Sequence, residues 1–413
     1  MESLGPASGW FAVLISLAAA LFLPIITMGI VAFCLPRKRM QNPDEHWAER
    51  ARSLFPFKAI RILSSSVLPI LYGAGASLAG FYPDSMLAIP RWMFAALIFL
   101  VSFSSTNWTI WRLGQRYHLQ PESFWERLRK SVALAFLYAP IILFTITAAV
   151  LPDEWNWQCA VIVCAGLLVY FWLQFGGLLR IGRWLGFLRP ADPEVSAMAR
   201  ELARYWQRPE PSVWLFFLGR ANALALPFAR AILITEKART LFTPDEMKAV
   251  LSHELAHLDE DKITRLVRLL TPILYLPLMK VLIEFLVNPE KGLPFLALCP
   301  VIVAGFIFLN RRRRRMEVRA DVFGSWLHAD KSIYAGALAK LYQANEIPAV
   351  MSRKRLVHPH LYDRLRIAGI TPDFPRPNPP AHWGSKVAML IMVVNMVGFL
   401  GIQYFVLDFF DRV

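Results

Sequence analysis

Long stretches with few or no charged residues constrain the fold of this chain more than any other feature. A bilayer helix needs about 20 consecutive, predominantly apolar residues. Eight stretches come near that length: 10–35, 63–82, 92–111, 131–151, 158–179, 269–287, 294–310 and 387–407. Apolar residues make up 56% of the chain and charged residues 18%, against roughly 45–50% and about 25% in soluble domains. The expectation is a mainly α, polytopic membrane protein with about eight transmembrane helices. The first run is preceded by no basic residue and followed by Arg37-Lys38-Arg39, which reads as an anchor rather than a cleaved signal peptide.

The charge between the runs gives a topology. Segments 36–62, 112–130, 180–268 and 311–386 are rich in Lys and Arg, whereas the turns 82–90, 152–157 and 288–293 are not. This alternation puts the basic segments on the inner face and both termini outside. The weakest run, 63–82, holds Ser64, Ser65 and Ser66, but the basic loops on its two sides share a compartment only if it crosses. A net charge of +15 could mark a nucleic-acid binder. Here the cations stand at the ends of apolar runs, as in Arg311–Arg315 after Leu309, so they read as membrane-edge anchors and no nucleic-acid partner is expected. Cys34, Cys159, Cys164 and Cys299 lie inside apolar runs and indicate neither a disulfide framework nor a cysteine metal site.

Five units follow: a membrane domain over 1–180, a soluble segment over 181–268, a membrane hairpin over 269–310, a second soluble segment over 311–386 and a last span over 387–413. The first soluble segment mixes elements. Asp192-Pro193 starts a helix running to about Gln207, and Ser212–Leu218 and Ala231–Thr235 read as short strands with Asn222–Phe228 between them. Thr243-Pro244-Asp245-Glu246 supplies an N-cap, a proline at the first helical position and the glutamate of a capping box. The helix it opens should reach about Glu260.

That helix carries His253-Glu254-Leu255-Ala256-His257. Histidines at i and i+4 lie on one face, so both imidazoles can reach one Zn²⁺. Glu254 is close enough in helical angle to act as general base on the attacking water. A catalytic zinc needs a third protein ligand. Asp259, Glu260 and Asp261 are near in sequence, but Glu317 is the better candidate. It opens Glu317-Val318-Arg319-Ala320-Asp321, where Glu317 and Asp321 share a helix face and Asp321 can accept a hydrogen bond from a ligating imidazole. Two apolar runs separate His257 from Glu317, an even number of crossings, which returns the chain to the same side. The site would hold one Zn²⁺ per chain.

Asn222-Ala223-Leu224-Ala225, the segment Ala249–His257, Glu317–Asp321 and the tail His358-Pro359-His360-Leu361-Tyr362-Asp363-Arg364 together resemble the HtpX and CAAX prenyl protease 1 type of membrane zinc metallopeptidase, which also includes the mitochondrial OMA proteases. The match covers roughly 193–365. The resemblance implies a small α+β gluzincin-type peptidase domain on the inner face, with His253, His257 and Glu317 as zinc ligands and Glu254 as base. It places His358 and Arg364 near the site, as support for the tetrahedral intermediate; a helix cap and a surface ion pair are the alternatives. It also implies an edge strand that receives the substrate, with Asn222, Ala223 and Ala225 in one candidate segment and Ala231–Thr235 as the other. The five spans before the zinc domain are more than in HtpX-type proteins and closer to the prenyl protease layout, an eighth span follows the distal motif, and Arg311–Arg315 and Pro227 do not map onto the family pattern.

Lys280 and Glu284, four apart inside one run, read as a mutually neutralising pair or a polar lining, and Pro272 and Pro277 as kink sites. The expected function is that of a membrane endopeptidase in a bacterial inner membrane with its zinc site cytoplasmic. It would cut membrane proteins or their inner-face segments in quality control or stress response. Dedicated processing, including that of a prenylated C-terminus, and a sensor-transducer role are the alternatives. Sensor types carry a cysteine where this chain has Ala320.

Overall fold

The computed structural model describes residues 6–34, 45–78, 91–116, 122–152, 156–287, 299–326, 330–351, 360–367 and 370–412. Four long helices form one bundle: α1 (Pro6–Cys34), α2 (Trp47–Leu78), α3 (Arg91–Arg116) and the last helix, Trp383–Arg412. Their shared core includes Met28, Ile60, Leu68, Tyr72, Phe94, Ile98 and Phe399. Outer positions such as Leu14, Phe33, Met389, Val397 and Phe405 are exposed, an apolar perimeter that suits lipid rather than water. Polar groups inside the bundle find partners, as buried polar groups must. Tyr72 donates to Asn395 Oδ1 at 2.8 Å, Asn395 Nδ2 to Thr27 Oγ1 at 2.9 Å and Gln403 Nε2 to Ser16 Oγ at 2.8 Å. These bonds tie the last helix to the first two.

Next come α4 (Phe124–Leu137) and α5 (Ala139–Val150), bent against each other by 72°, then α6 (Trp157–Trp172), which runs through a π turn at Leu173–Gly177 into α7 (Leu178–Trp184). The soluble part opens with β1 (Leu188–Pro190) and α8 (Pro193–Tyr205). It continues with β2 (Ser212–Phe216), β3 (Ala223–Leu226), β4 (Ala231–Thr235), α9 (Glu236–Leu241) and α10 (Pro244–Leu258). The strands form one sheet in the order β1-β2-β4-β3, with β2 and β4 parallel and the other pairs antiparallel. Side chains alternate across a strand, and both faces of this sheet are covered. Val213, Leu215, Ile232 and Ile234 meet Leu202, Val250, Leu251 and Leu255 on one side. Phe216 and Leu233 meet Ala133, Phe136 and Phe187 on the other. The second face therefore joins the sheet to α4.

After α10 come α11 (Lys262–Leu270), a 3-10 turn at Pro272–Leu274, α12 (Tyr275–Val287), α13 (Cys299–Trp326), α14 (Ser332–Ala344) and α15 (Leu361–Ile367), with Trp383–Arg412 as α16.

Among the described residues five helices are long and apolar enough to cross a membrane, or six if α4 and α5 count as one bent span. The expected spans thus need correction in four places. The helix assigned to 63–82 already begins at Trp47, because neither its basic residues nor Pro56 and Pro69 break it. The 131–151 run is divided at Tyr138, ahead of Pro140, whose ring cannot continue the preceding helix. The 269–287 run is interrupted at Pro272. The boundary drawn at 310 is not a break: α13 continues through Arg311–Arg315, good helix formers with no glycine or proline among them, to Trp326. The turn 288–293 lies outside the described residues.

Candidate metal centre

The HExxH helix is fixed from its first residue. Thr243 Oγ1 accepts from Glu246 N at 3.3 Å and Glu246 Oε2 accepts from Thr243 N at 2.9 Å, the reciprocal capping box. Such a cap is worth about 1 kcal/mol. Lys340 of α14 donates to the same Glu246 Oε2 at 2.8 Å. Further along, Ser252 Oγ donates to Phe323 O at 3.1 Å and holds α10 against α13.

This packing brings three side chains together. His253 Nε2 and His257 Nε2 lie 3.3 Å apart. The Glu317 carboxylate approaches both, Oε2 at 3.7 Å from His253 Nε2 and Oε1 at 3.6 Å from His257 Nε2. These three form the metal-capable cluster found among the described residues. All are largely buried, with side chains 10–14% exposed. Two nitrogens meeting head-on, with a carboxylate closing the triangle, can hold a cation among them. Glu254 is buried beside them, and its negative charge acts on His257 and on Tyr334.

The outer sides of the two imidazoles differ. His253 Nδ1 lies 2.8 Å from Tyr334 Oη and 3.4 Å from Asp321 Oδ1. Tyr334 donates to Asp321 Oδ1 at 2.7 Å, so its oxygen accepts from His253 Nδ1–H, leaving Nε2 with its lone pair inward. Arg364 donates to the same Asp321 oxygen and lies 3.2 Å from Tyr334 Oη. On the other side, His257 Nδ1 is buried with no hydrogen bond among the described residues and faces Glu260 Oε1 at 3.9 Å. Glu260 is fully buried and held by Arg268 of α11, whose Nε donates to Oε2 at 3.0 Å.

The electrostatics follow this wiring. Burial opposes ionisation of Asp321, but the hydrogen bond with His253 and the Arg364 charge outweigh it and hold the carboxyl below its usual range. Burial, and then the charge of Asp321, push the Tyr334 hydroxyl well above its ordinary value. Burial would lower Arg364, yet Tyr334 and Asp321 raise it. For His257 burial again disfavours the charge, and Glu317 and Glu254 overcome it, so its pKa is raised.

Of the residues singled out from sequence, His253, Glu254, His257, Glu317, Asp321 and Arg364 come together. Arg364 is 9% exposed and bonded to Asp321, so a surface ion pair is excluded and its guanidinium sits behind the imidazole. His358 lies outside the described residues. Asn222 precedes β3, and Ala223 and Ala225 lie on it; β3 is the edge of the sheet, whereas the alternative, Ala231–Thr235, is interior as β4. Pro227 is in the turn between them. Lys280 donates to Leu151 O at 3.2 Å, and the Glu284 side chain lies outside the described set.

Nothing in the sequence marks Tyr334. A tyrosine in an amphipathic helix carries no local signal for a contact 81 residues away. One accomplice is visible afterwards: a Cβ on Gly324 would stand 2.7 Å from the Tyr334 ring, so the glycine on α13 makes room for it.

Residues 190–371 match the model of peptidase family M48. The chain is also 26% identical over 235 residues to proteins named Protease HtpX homolog from Burkholderia mallei (strain SAVP1), Burkholderia pseudomallei (strain 668) and Burkholderia thailandensis (strain ATCC 700388 / DSM 13276 / CCUG 48851 / CIP 106301 / E264). The aligned part is 52% of this chain and 81% of each relative. M48 peptidases are metal-dependent, and the matched segment contains every residue of the cluster above. Residues 190–371 thus resemble a metallopeptidase domain of family M48, set between long apolar helices on both sides.

Proposed function

We propose that the chain is a membrane-embedded zinc endopeptidase with one Zn²⁺ held by His253, His257 and Glu317. The observation that carries this reading is the convergence of two Nε2 atoms and a carboxylate at 3.3, 3.6 and 3.7 Å. Ligands about 2.0–2.1 Å from a tetrahedral zinc stand roughly 3.3–3.4 Å from one another, so the spacing fits that ion with little movement. Bound zinc supplies Lewis acidity toward the scissile carbonyl and the attacking water. Glu254 takes the water proton on its carboxylate and delivers it to the leaving nitrogen. Asp321, Tyr334 and Arg364 hold His253 in the tautomer that turns Nε2 inward, and Glu260 does the same for His257 from a greater distance.

The substrate is a peptide lying extended along β3, pairing with its open edge by strand addition. The apolar helices favour membrane proteins, or their inner-face segments, as the polypeptides cut. Quality control or a stress response in a bacterial inner membrane is the role this supports, with the site cytoplasmic. Glu254→Gln and Glu317→Ala in purified full-length protein test the reading. Glu254→Gln should retain one zinc per chain while losing about 10²–10⁴-fold in peptide hydrolysis. Glu317→Ala should lose the zinc. Full metal content in Glu317→Ala overturns the ligand set.

A further inference from the structure

The open edge of β3 is closed at one end. In an antiparallel pair, residues that bond the neighbouring strand alternate with residues whose backbone groups turn outward. Asn222 faces β4: its carbonyl accepts from Thr235 N at 2.9 Å and its N–H donates to Thr235 Oγ1 at 2.8 Å. The register Ala223↔Ile234, Leu224↔Leu233 and Ala225↔Ile232 continues this pairing. Leu224 therefore faces β4 as well, while Ala221, Ala223 and Ala225 turn their N–H and C=O groups to the other side. At Ala221 that side is taken. Asn345 Oδ1 accepts from Ala221 N at 2.9 Å, and Asn345 Nδ2 donates to Ala221 O at 2.7 Å. One carboxamide thus satisfies both backbone groups, as a residue of an added strand would.

Asn345 is itself held in place. It caps the C-terminus of α14, and the chain leaves through Glu346 in the left-handed region, at φ 45°. Glu346 N donates to Gln343 O at 2.9 Å and Ile347 N to Tyr342 O at 2.8 Å, a pattern that ends many helices. Lys58 of α2 donates to Asn345 O and Glu346 O at 2.9 Å each and pairs with Glu346 Oε2 at 2.7 Å. Lys237 of α9 donates to Ala344 O at 2.6 Å. Lysines from the membrane bundle and from the peptidase domain thus grip one turn, through carbonyls that a helix end leaves without partners. Near the other end of α14, Tyr334 stands behind His253, roughly 16 Å away along the helix. One rigid element links the metal centre to the start of the edge strand.

We infer that Asn345 is a stop at the N-terminal end of the substrate edge, limiting the length of peptide that can pair with it. The inference rests on the reading above in which the substrate lies along β3. An extended peptide pairs with the outward groups of Ala223 and Ala225. Beyond them it meets the Asn345 carboxamide, already bonded to Ala221, and must end or turn away. A residue of this kind selects by exclusion.

The test uses the purified full-length protein with casein as an unstructured probe. Mass spectrometry locates a bond that is cut, and synthetic peptides around that bond are lengthened one residue at a time at each end. With the wild type, kcat/KM should rise along one end and level off where the peptide reaches Asn345. Asn345→Ala leaves Ala221 N and O open, so the rise should continue over about two further residues. The added gain should be about 2–5-fold, expressed through KM. Peptides too short to reach Ala221 should be cut equally by both proteins. A clamp that merely stabilised the loop would instead change every peptide alike. The inference is overturned if the two ladders level off at the same length, or if Asn345→Ala shifts both ends or all lengths equally. Should Asn345→Ala fail to fold, Asn345→Ser takes its place, since one hydroxyl cannot meet both Ala221 groups. Equal ladders with normal cleavage leave the peptidase reading standing, whereas a wild type that holds zinc and cuts no bond in casein overturns both.

Discussion

The two imidazoles that face each other across the metal centre are held by very different means. His253 is backed by Tyr334, Asp321 and Arg364, which come from three helices and share one carboxylate oxygen. Among the described residues His257 is backed by Glu260 alone, three residues away on its own chain segment and 3.9 Å distant. The first arrangement is a closed network in which each group satisfies another. The second is an open one, whose carboxylate is steadied by Arg268 in the last turn of α11. Orientation on the His253 side is therefore set by the assembled fold. On the His257 side it is set by the placement of α11.

Removing the hub of the closed network should have the largest effect. Asp321→Asn leaves Arg364 buried without its counter-charge, and breaking a buried pair costs about 3–5 kcal/mol. Denaturant unfolding should show that loss, and a chelator competition should show metal affinity falling about 10–100-fold. Glu260→Gln is the matching cut on the open side. Arg268 is 32% exposed and water reaches it, so stability should fall by only about 1–2 kcal/mol while metal affinity still drops about tenfold. Equal stability losses in the two variants would erase the contrast.

Tyr334→Phe should cost about 1–2 kcal/mol by taking one bridging hydroxyl from a buried network. It should leave Asp321 to receive His253 directly, which calorimetric unfolding and metal titration will separate. The acid limb sharpens the comparison further. Asp321 has a folded pKa below its unfolded value of about 3.9. Its stabilising contribution is therefore complete above that value and is lost as pH falls through the lower, folded one. Wild-type stability should decline more steeply below about pH 4 than that of Asp321→Asn, as read from unfolding midpoints across pH. The smallest effect belongs to Thr243→Ala. Breaking the capping box should cost about 1 kcal/mol without changing metal content, since it lies at the far end of α10.

What could be read from sequence was local chemistry. The cap at Thr243, the proline after it and the two histidines four apart each act within one or two turns, and the helix forms as they imply. Glu317 does join the two histidines, but the expected pair of crossings ahead of it is not matched: neither α12 nor α13 is among the described helices long and apolar enough to cross a membrane. Span boundaries were less legible, because mixed basic and apolar stretches such as 47–62 remain helical and hydropathy alone does not see where a helix starts. A three-residue strand such as Leu188–Pro190 is too short to show alternation. Glu260 is near enough in sequence to serve as a ligand, but a carboxylate beside an HExxH motif does not declare which ring nitrogen it will face. Tyr334 depends on two helices meeting across a glycine, and no pattern within either helix states it.

The three converging groups are numbered 253, 257 and 317, and this spacing sets an order in time. Chains emerge N-terminus first at about 5–20 residues per second, so the 60 positions between His257 and Glu317 correspond to roughly 3–12 s of synthesis. The sheet and α10 are complete before that interval begins, whereas α13 exists only after the intervening helices have been made. A ribosome-bound chain therefore displays the histidine pair for seconds without the carboxylate that closes the triangle, and the groups behind His253, on α14 and α15, come later still.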